Sequence, residues 1–197
     1  MTNFNHPERG QDVGEVDGDW GAPSWSFDLA TLGQHLNVKS DLEATVRGHL
    51  YLEHVLIHFL KEAMPRHELL SMDRVPFNTK VEICAALGVV PKVAIGPLKK
   101  INELRNRLAH NLHFAVALQD KKDLLSLFDS ASRVLVLERG EEGKVYDVAE
   151  IPISHFIKVM VILIDIERQA YVRWKKNRDG ALRNAKEVLD RVKAQGL

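Results

Sequence analysis

The chain has 197 residues, 45% of them hydrophobic and 27% charged, a balance typical of a folded domain rather than a disordered one. That length supports one compact domain with a proper core. Lys plus Arg and Asp plus Glu both number 27, so no overall field draws the molecule to nucleic acid or anionic lipid. Any polyanion binding has to be local.

Residues 1–26 carry four glycines and almost no aliphatics, and read as a mobile N-terminal arm that Trp20 or Trp25 could pin to the body. No apolar core behind basic residues marks a secretory signal. A helical bundle is expected over 27–178, followed by a basic helix over 179–197. The tetrapeptide SDLE, with Ser40 as N-cap and Glu43 three positions on, predicts a helix running to about Ala63, where Pro65 biases Met64 away from helical geometry. FNTKVEICAALGVVP reads as a shorter helix stopped by Gly88 and Pro91. A third helix is expected from about Ile95 through INELRNRLAHNLHF, and a short fourth in DKKDLLSLFDSAS.

The pattern then changes. RVLVLERGEEGKVYDV is two β-branched runs about a charged turn, which predicts a small β-hairpin inserted near 133–148. Helical periodicity resumes from about Ser154 to Trp174. IPISHFIKVMVILIDI is interrupted by Lys158 and Asp165 and is short for a membrane span, so it reads as a core helix. The fold class expected is all-α.

The single cysteine, Cys84, lies in an apolar stretch and reads as a small core residue in a reducing, cytoplasmic setting. His54 and His58 have helical ligand spacing, but HVLIH lacks the glutamate of a zinc HExxH motif and has no evident third ligand. No metal or other cofactor is expected. RGEEG is acidic and reads as a turn rather than a phosphate loop.

The third helix carries an anomaly. On a wheel at about 100° per residue, Leu98, Ile101, Leu104, Leu108 and Leu112 share one sector, and Arg105 falls inside it, about 40° from Ile101. Asn106, His110 and His113 cluster beside it. The first long helix has a stripe of Leu42, Val46, Leu50, Leu56, Ile57 and Leu60, with His49 and Glu53 in the same sector. A guanidinium cannot shed its charge, so pairing of Arg105 with Glu53 is expected, with His49 or His110 nearby. The alternative is that Arg105 snorkels its head to the surface from a buried stem.

The segment Arg105-Asn106-Arg107-Leu108-Ala109-His110 resembles the Arg-x4-His motif of the HEPN superfamily. FNTKVEICAALGVV together with INELRNRLAH is similar to the branch around the mannitol operon repressor. The likeness covers about residues 40–118 and leaves the hairpin and the basic C-terminus outside it. It implies an all-α bundle that forms a homodimer, with the motif helices facing each other across a cleft. It also implies a metal-independent endoribonuclease or RNA-binding protein, as in a toxin or defence effector held by an antitoxin. Arg105, Asn106 and His110 would then be the catalytic residues, with Glu53, His49 and His113 supporting them. Histidine titrates near neutrality and suits proton transfer, while arginine suits the charge that builds on phosphorus.

The other reading is a non-catalytic HEPN-fold regulator that binds a protein partner or small ligand. From Glu167 to Leu197 there are nine basic and four acidic residues. There Arg168, Arg173, Lys175, Lys176 and Arg178, interleaved with Tyr171 and Trp174, could make an RNA-binding surface. The alternative for that run is a solvated helix face.

Overall fold

The computed structural model describes residues 24–111, 113–138 and 144–194, and it is all-α. Helix α1 spans Leu29–Leu36, α2 Asp41–Ala63, α3 Phe77–Ala86, α4 Lys92–His110, α5 Leu118–Leu127, α6 Ser130–Leu137 and α7 Ile153–Ala194. Two 3-10 turns, His67–Leu69 and Met72–Arg74, connect α2 to α3. The predicted N-terminal arm lies outside the described residues as far as residue 23.

Helix α2 starts where the sequence signals it. Ser40 Oγ accepts from the Glu43 N–H at 3.3 Å, occupying one of the donors a helix start leaves open. It stops at Ala63, with Met64 extended ahead of Pro65. Helix α3 ends before Gly88, whose φ of +70° suits a residue without a β-carbon. Helix α4 begins at Lys92, earlier than the expected Ile95, and runs through Pro97. A proline in the sixth position supplies no N–H to the ladder, but its ring is buried in the core.

Helices α2 and α7 form the centre. The buried face of α2 is Ala44, Thr45, Gly48, His49, Leu52, Val55, Leu56, Phe59 and Leu60. That face differs from the predicted stripe, since Leu42 and Leu50 are 41% and 60% exposed. The reason is the approach of α7: a β-carbon at Gly48 would collide with the side chain of Ile157, so α2 turns its small residues toward the other helix. Ile153, Phe156, Ile157, Met160, Val161 and Ile164 give α7 its apolar face. Helices α3 and α4 pack on another side of α2, α1 bridges α2 and α7, and α5 lies on α4.

Two expectations need correction. The first run of the expected hairpin, RVLVL, belongs to α6, and no strand occurs among the described residues. Asp129 caps α6 by accepting from the Ser132 N–H at 2.7 Å, and Val136 is fully buried, so capping and burial override β propensity. What remains of pairing is one antiparallel bridge between Glu138 and Val145; the expected turn, 139–143, lies outside the described residues. The basic C-terminal segment is also no separate helix up to residue 194. It continues α7, whose 42 residues span about 63 Å at 1.5 Å per residue. Among the described residues, no helix is long and apolar enough to cross a membrane.

Candidate functional site

A seam of polar groups lies where α2, α3 and α4 meet. His49 is 5% exposed, and its Nε2 lies 2.9 Å from Asn102 Oδ1. Asn102 donates in turn from Nδ2 to Asn78 Oδ1 at 3.2 Å. An acceptor at the first oxygen assigns the Nε2–H tautomer to the neutral imidazole. The His49 ring rests on Phe77, with centroids 4.3 Å apart. Burial is the main force holding the His49 imidazole below its usual pKa; Arg105 and Lys80 act the same way, while the Asn102 contact and Glu53 oppose them.

Glu53 does not pair with Arg105. Its Oε1 accepts from Lys80 Nζ at 2.5 Å, across the α2–α3 contact. The Lys80 side chain is 1% exposed and that of Glu53 29%. An ammonium so enclosed needs a carboxylate, and α3 brings Lys80 to the nearest one. The signal was present in the sequence: Phe77, Lys80, Val81 and Cys84 share a stripe on α3, so Lys80 sits among apolar residues as Arg105 does. Cys84 itself is fully buried, and burial pushes its thiol up to about 12.

Arg105 is half-buried, and its Nη1 donates to Asn106 Oδ1 at 3.0 Å. No carboxylate pairs with it among the described residues. Along α4, Asn102, Arg105, Asn106, Ala109 and His110 form a strip at helical spacing, polar except at Ala109. The first three are half-buried, and the last two are exposed. Five residues place Arg105 and His110 about 140° apart around the axis, with Asn106 between them. A single copy of the strip therefore presents guanidinium and imidazole on adjoining faces rather than side by side.

The neighbouring arginine of the motif is structural. Arg107 donates to Asp120 Oδ1 at 2.7 Å and lies 4.1 Å from the centre of the Phe114 ring. Asp120 also accepts from the Ala117 N–H at 3.1 Å, so Arg107 fastens the loop after α4 to the start of α5. His113 does not share the helical face of His110. Helix α4 stops at its C-cap Asn111, and the Asn111 side chain accepts from the His113 N–H at 3.0 Å. Leu112, expected on the apolar stripe, lies outside the described residues.

The basic run on α7 divides in two. Arg168 is 6% exposed and donates to Asp165 (2.6 Å), Glu62 (2.7 Å) and the Ser24 carbonyl (2.6 Å). Asp165 accepts as well from the Ser26 hydroxyl at 2.7 Å and from Gln169 at 3.0 Å. Burial pushes the Asp165 carboxyl up, but the bonds from Arg168, Ser26 and Gln169 outweigh it and hold it below the usual carboxylate value. This knot ties residues 24–26 to the bundle. Lys175 donates to the Glu62 carbonyl at 2.6 Å, near the end of α2. Arg173, Lys176 and Arg178 remain exposed, and Arg178 lies 4.8 Å over the Trp174 ring while pairing with Asp179 at 3.0 Å.

The His54 and His58 rings lie tilted to each other with centroids 4.4 Å apart, and His54 Nε2 meets the Ser26 carbonyl at 2.8 Å. No group of three or more metal-ligating side chains occurs among the described residues. Comparison with known proteins finds no match: no family model, no curated protein and no solved structure is significantly similar to this chain.

Proposed function

We propose that this chain is a HEPN-type helical protein that binds RNA and cleaves it without a metal ion, acting as a homodimer. The observation that carries the reading is Arg105: half-buried, steadied by Asn106, and with no carboxylate partner among the described residues. A guanidinium held in that state is suited to a phosphate. The polar strip then leads to an exposed imidazole at His110.

In the reaction, one His110 takes the proton of a ribose 2′-hydroxyl, and the 2′-oxygen attacks the adjacent phosphorus. Arg105 stabilises the charge gathered on the phosphoryl oxygens. The bond to the 5′-oxygen breaks, and a second His110 delivers a proton to it. The products are a 2′,3′-cyclic phosphate and a 5′-hydroxyl. The separation of Arg105 from His110 around α4 favours a two-fold arrangement, in which one copy's guanidinium faces the other's imidazole. Arg173, Lys176 and Arg178, with Trp174, would hold flanking backbone and a base. Such an enzyme suits a toxin or defence effector restrained by an antitoxin.

A second reading is a regulator on the same scaffold, without catalysis. It draws on His110, whose exposed ring has no hydrogen-bond partner among the described residues to fix its tautomer. The test is cleavage of end-labelled RNA, with chelator present, by wild type, Arg105→Ala and His110→Ala. Cleavage lost in both variants supports the nuclease. Equal cleavage by all three, or none by any, overturns it.

A further inference from the structure

Away from the α4 strip, α1 and the start of α7 enclose a polar cleft of about 260 Å³, bordered by Gly33, Asn37, Pro152, Ser154, His155 and Lys158. Among the described residues, no acidic one borders it. Three features converge there. Helix α7 begins at Ile153; the His155 N–H is taken by the Pro152 carbonyl at 3.0 Å, while the Ile153 and Ser154 amides have no acceptor among the described residues. Ser154 is 9% exposed, and its hydroxyl has no hydrogen-bond partner among the described residues. Ser154 lines the cleft, so this hydroxyl is free to donate to a group bound there. Lys158, one turn further on, reaches across to α1, where its Nζ lies 4.0 Å from the position of a β-carbon on Gly33. It has no carboxylate partner among the described residues.

We propose that this cleft is a binding site for the phosphate group of a small phosphate monoester. The open end of a long helix presents partial positive charge and unused N–H donors, and both favour a tetrahedral oxyanion. Lys158 supplies a full positive charge, and the Ser154 hydroxyl a further donor. Asn37, exposed at the rim, adds a side-chain amide. The opposing end of α1 is partly neutralised, because the Asn37 N–H caps the Gly33 and Gln34 carbonyls at 3.1 and 3.3 Å. The cleft has room beyond a phosphate, so the organic part of a monoester also fits. Nucleic acid is not required, and the site stands or falls apart from the nuclease reading.

Calorimetric titration at low ionic strength with inorganic phosphate and with glycerol 3-phosphate tests the site on wild type, Lys158→Met and Ser154→Ala. Saturable one-to-one binding is expected, weakened about tenfold or more by Lys158→Met and a few-fold by Ser154→Ala. Tighter binding of the ester would assign the ligand as a monoester, and equal binding as free phosphate; both keep the oxyanion site. Amide resonances of Ile153 and Ser154 should move on saturation. Lys158→Arg, which keeps the charge, should retain binding and guards against a folding artefact. No binding of either probe by wild type, or equal binding by Lys158→Met and wild type, overturns the proposal.

Discussion

The Lys80–Glu53 pair offers a quantitative test of how α3 is held to α2. The two side chains are unequally sheltered, 1% exposed for Lys80 and 29% for Glu53. Replacing Glu53 by Met strands an enclosed ammonium that water cannot reach, at a cost of about 3–5 kcal/mol. Replacing Lys80 by Met strands a carboxylate that water partly reaches, and about 1–2 kcal/mol is expected. The double substitution puts two flexible apolar chains in contact and should return to within about 1 kcal/mol of wild type. The coupling between the sites is then about 3 kcal/mol or more. Urea unfolding followed by far-ultraviolet circular dichroism measures all four proteins. Equal costs for the single substitutions, or additive costs in the double, would refute the view that an enclosed ammonium depends on this one carboxylate.

Gly48→Ala should lower stability by about 1–3 kcal/mol despite the better helix propensity of alanine, because the added methyl meets Ile157; thermal unfolding detects the loss, and an unchanged midpoint would contradict the close α2–α7 packing. Acidification should destabilise the fold through His49. Its folded pKa lies below the unfolded value of about 6.5, so stability is full above that value and falls as pH drops below it, the unfolded chain taking the proton first. His58 shifts the same way, by burial first and then by His54. The slope of midpoint against pH between about 7 and 5 should therefore be shallower in His49→Gln than in wild type, and an unchanged slope would remove His49 from the account.

How much of this was legible beforehand varies from residue to residue. Helix limits set by local chemistry could be read directly: Ser40 opens α2, Pro65 closes it, and Gly88 closes α3. The burial of Cys84 followed from its apolar neighbours. What depended on distant partners could not be read. Counting large aliphatics around α2 missed that Gly48 faces α7, because only the approach of Ile157 makes a small residue the buried one there. RVLVL looked like a strand until Asp129 and the burial of Val136 decided for helix.

At the candidate site, the sequence marked Glu53 as an acid needing a partner and pointed to Arg105, whereas the partner is Lys80 on α3. Lys80 was overlooked although it breaks an apolar stripe as Arg105 does. Arg168 looked like one more surface cation. Its burial comes from the segment 24–26 and from Glu62, both more than a hundred positions away in the chain.

The role proposed for Arg105 and His110 is to drive attack of an RNA 2′-hydroxyl on the adjacent phosphorus. It is tested most directly by the end groups made on a chelator-treated substrate and on its twin carrying one 2′-deoxy sugar at the cut position. The first should carry 2′,3′-cyclic phosphate ends and the second should stay uncut. Cutting of the deoxy twin, or the absence of cyclic ends on the first, would contradict it.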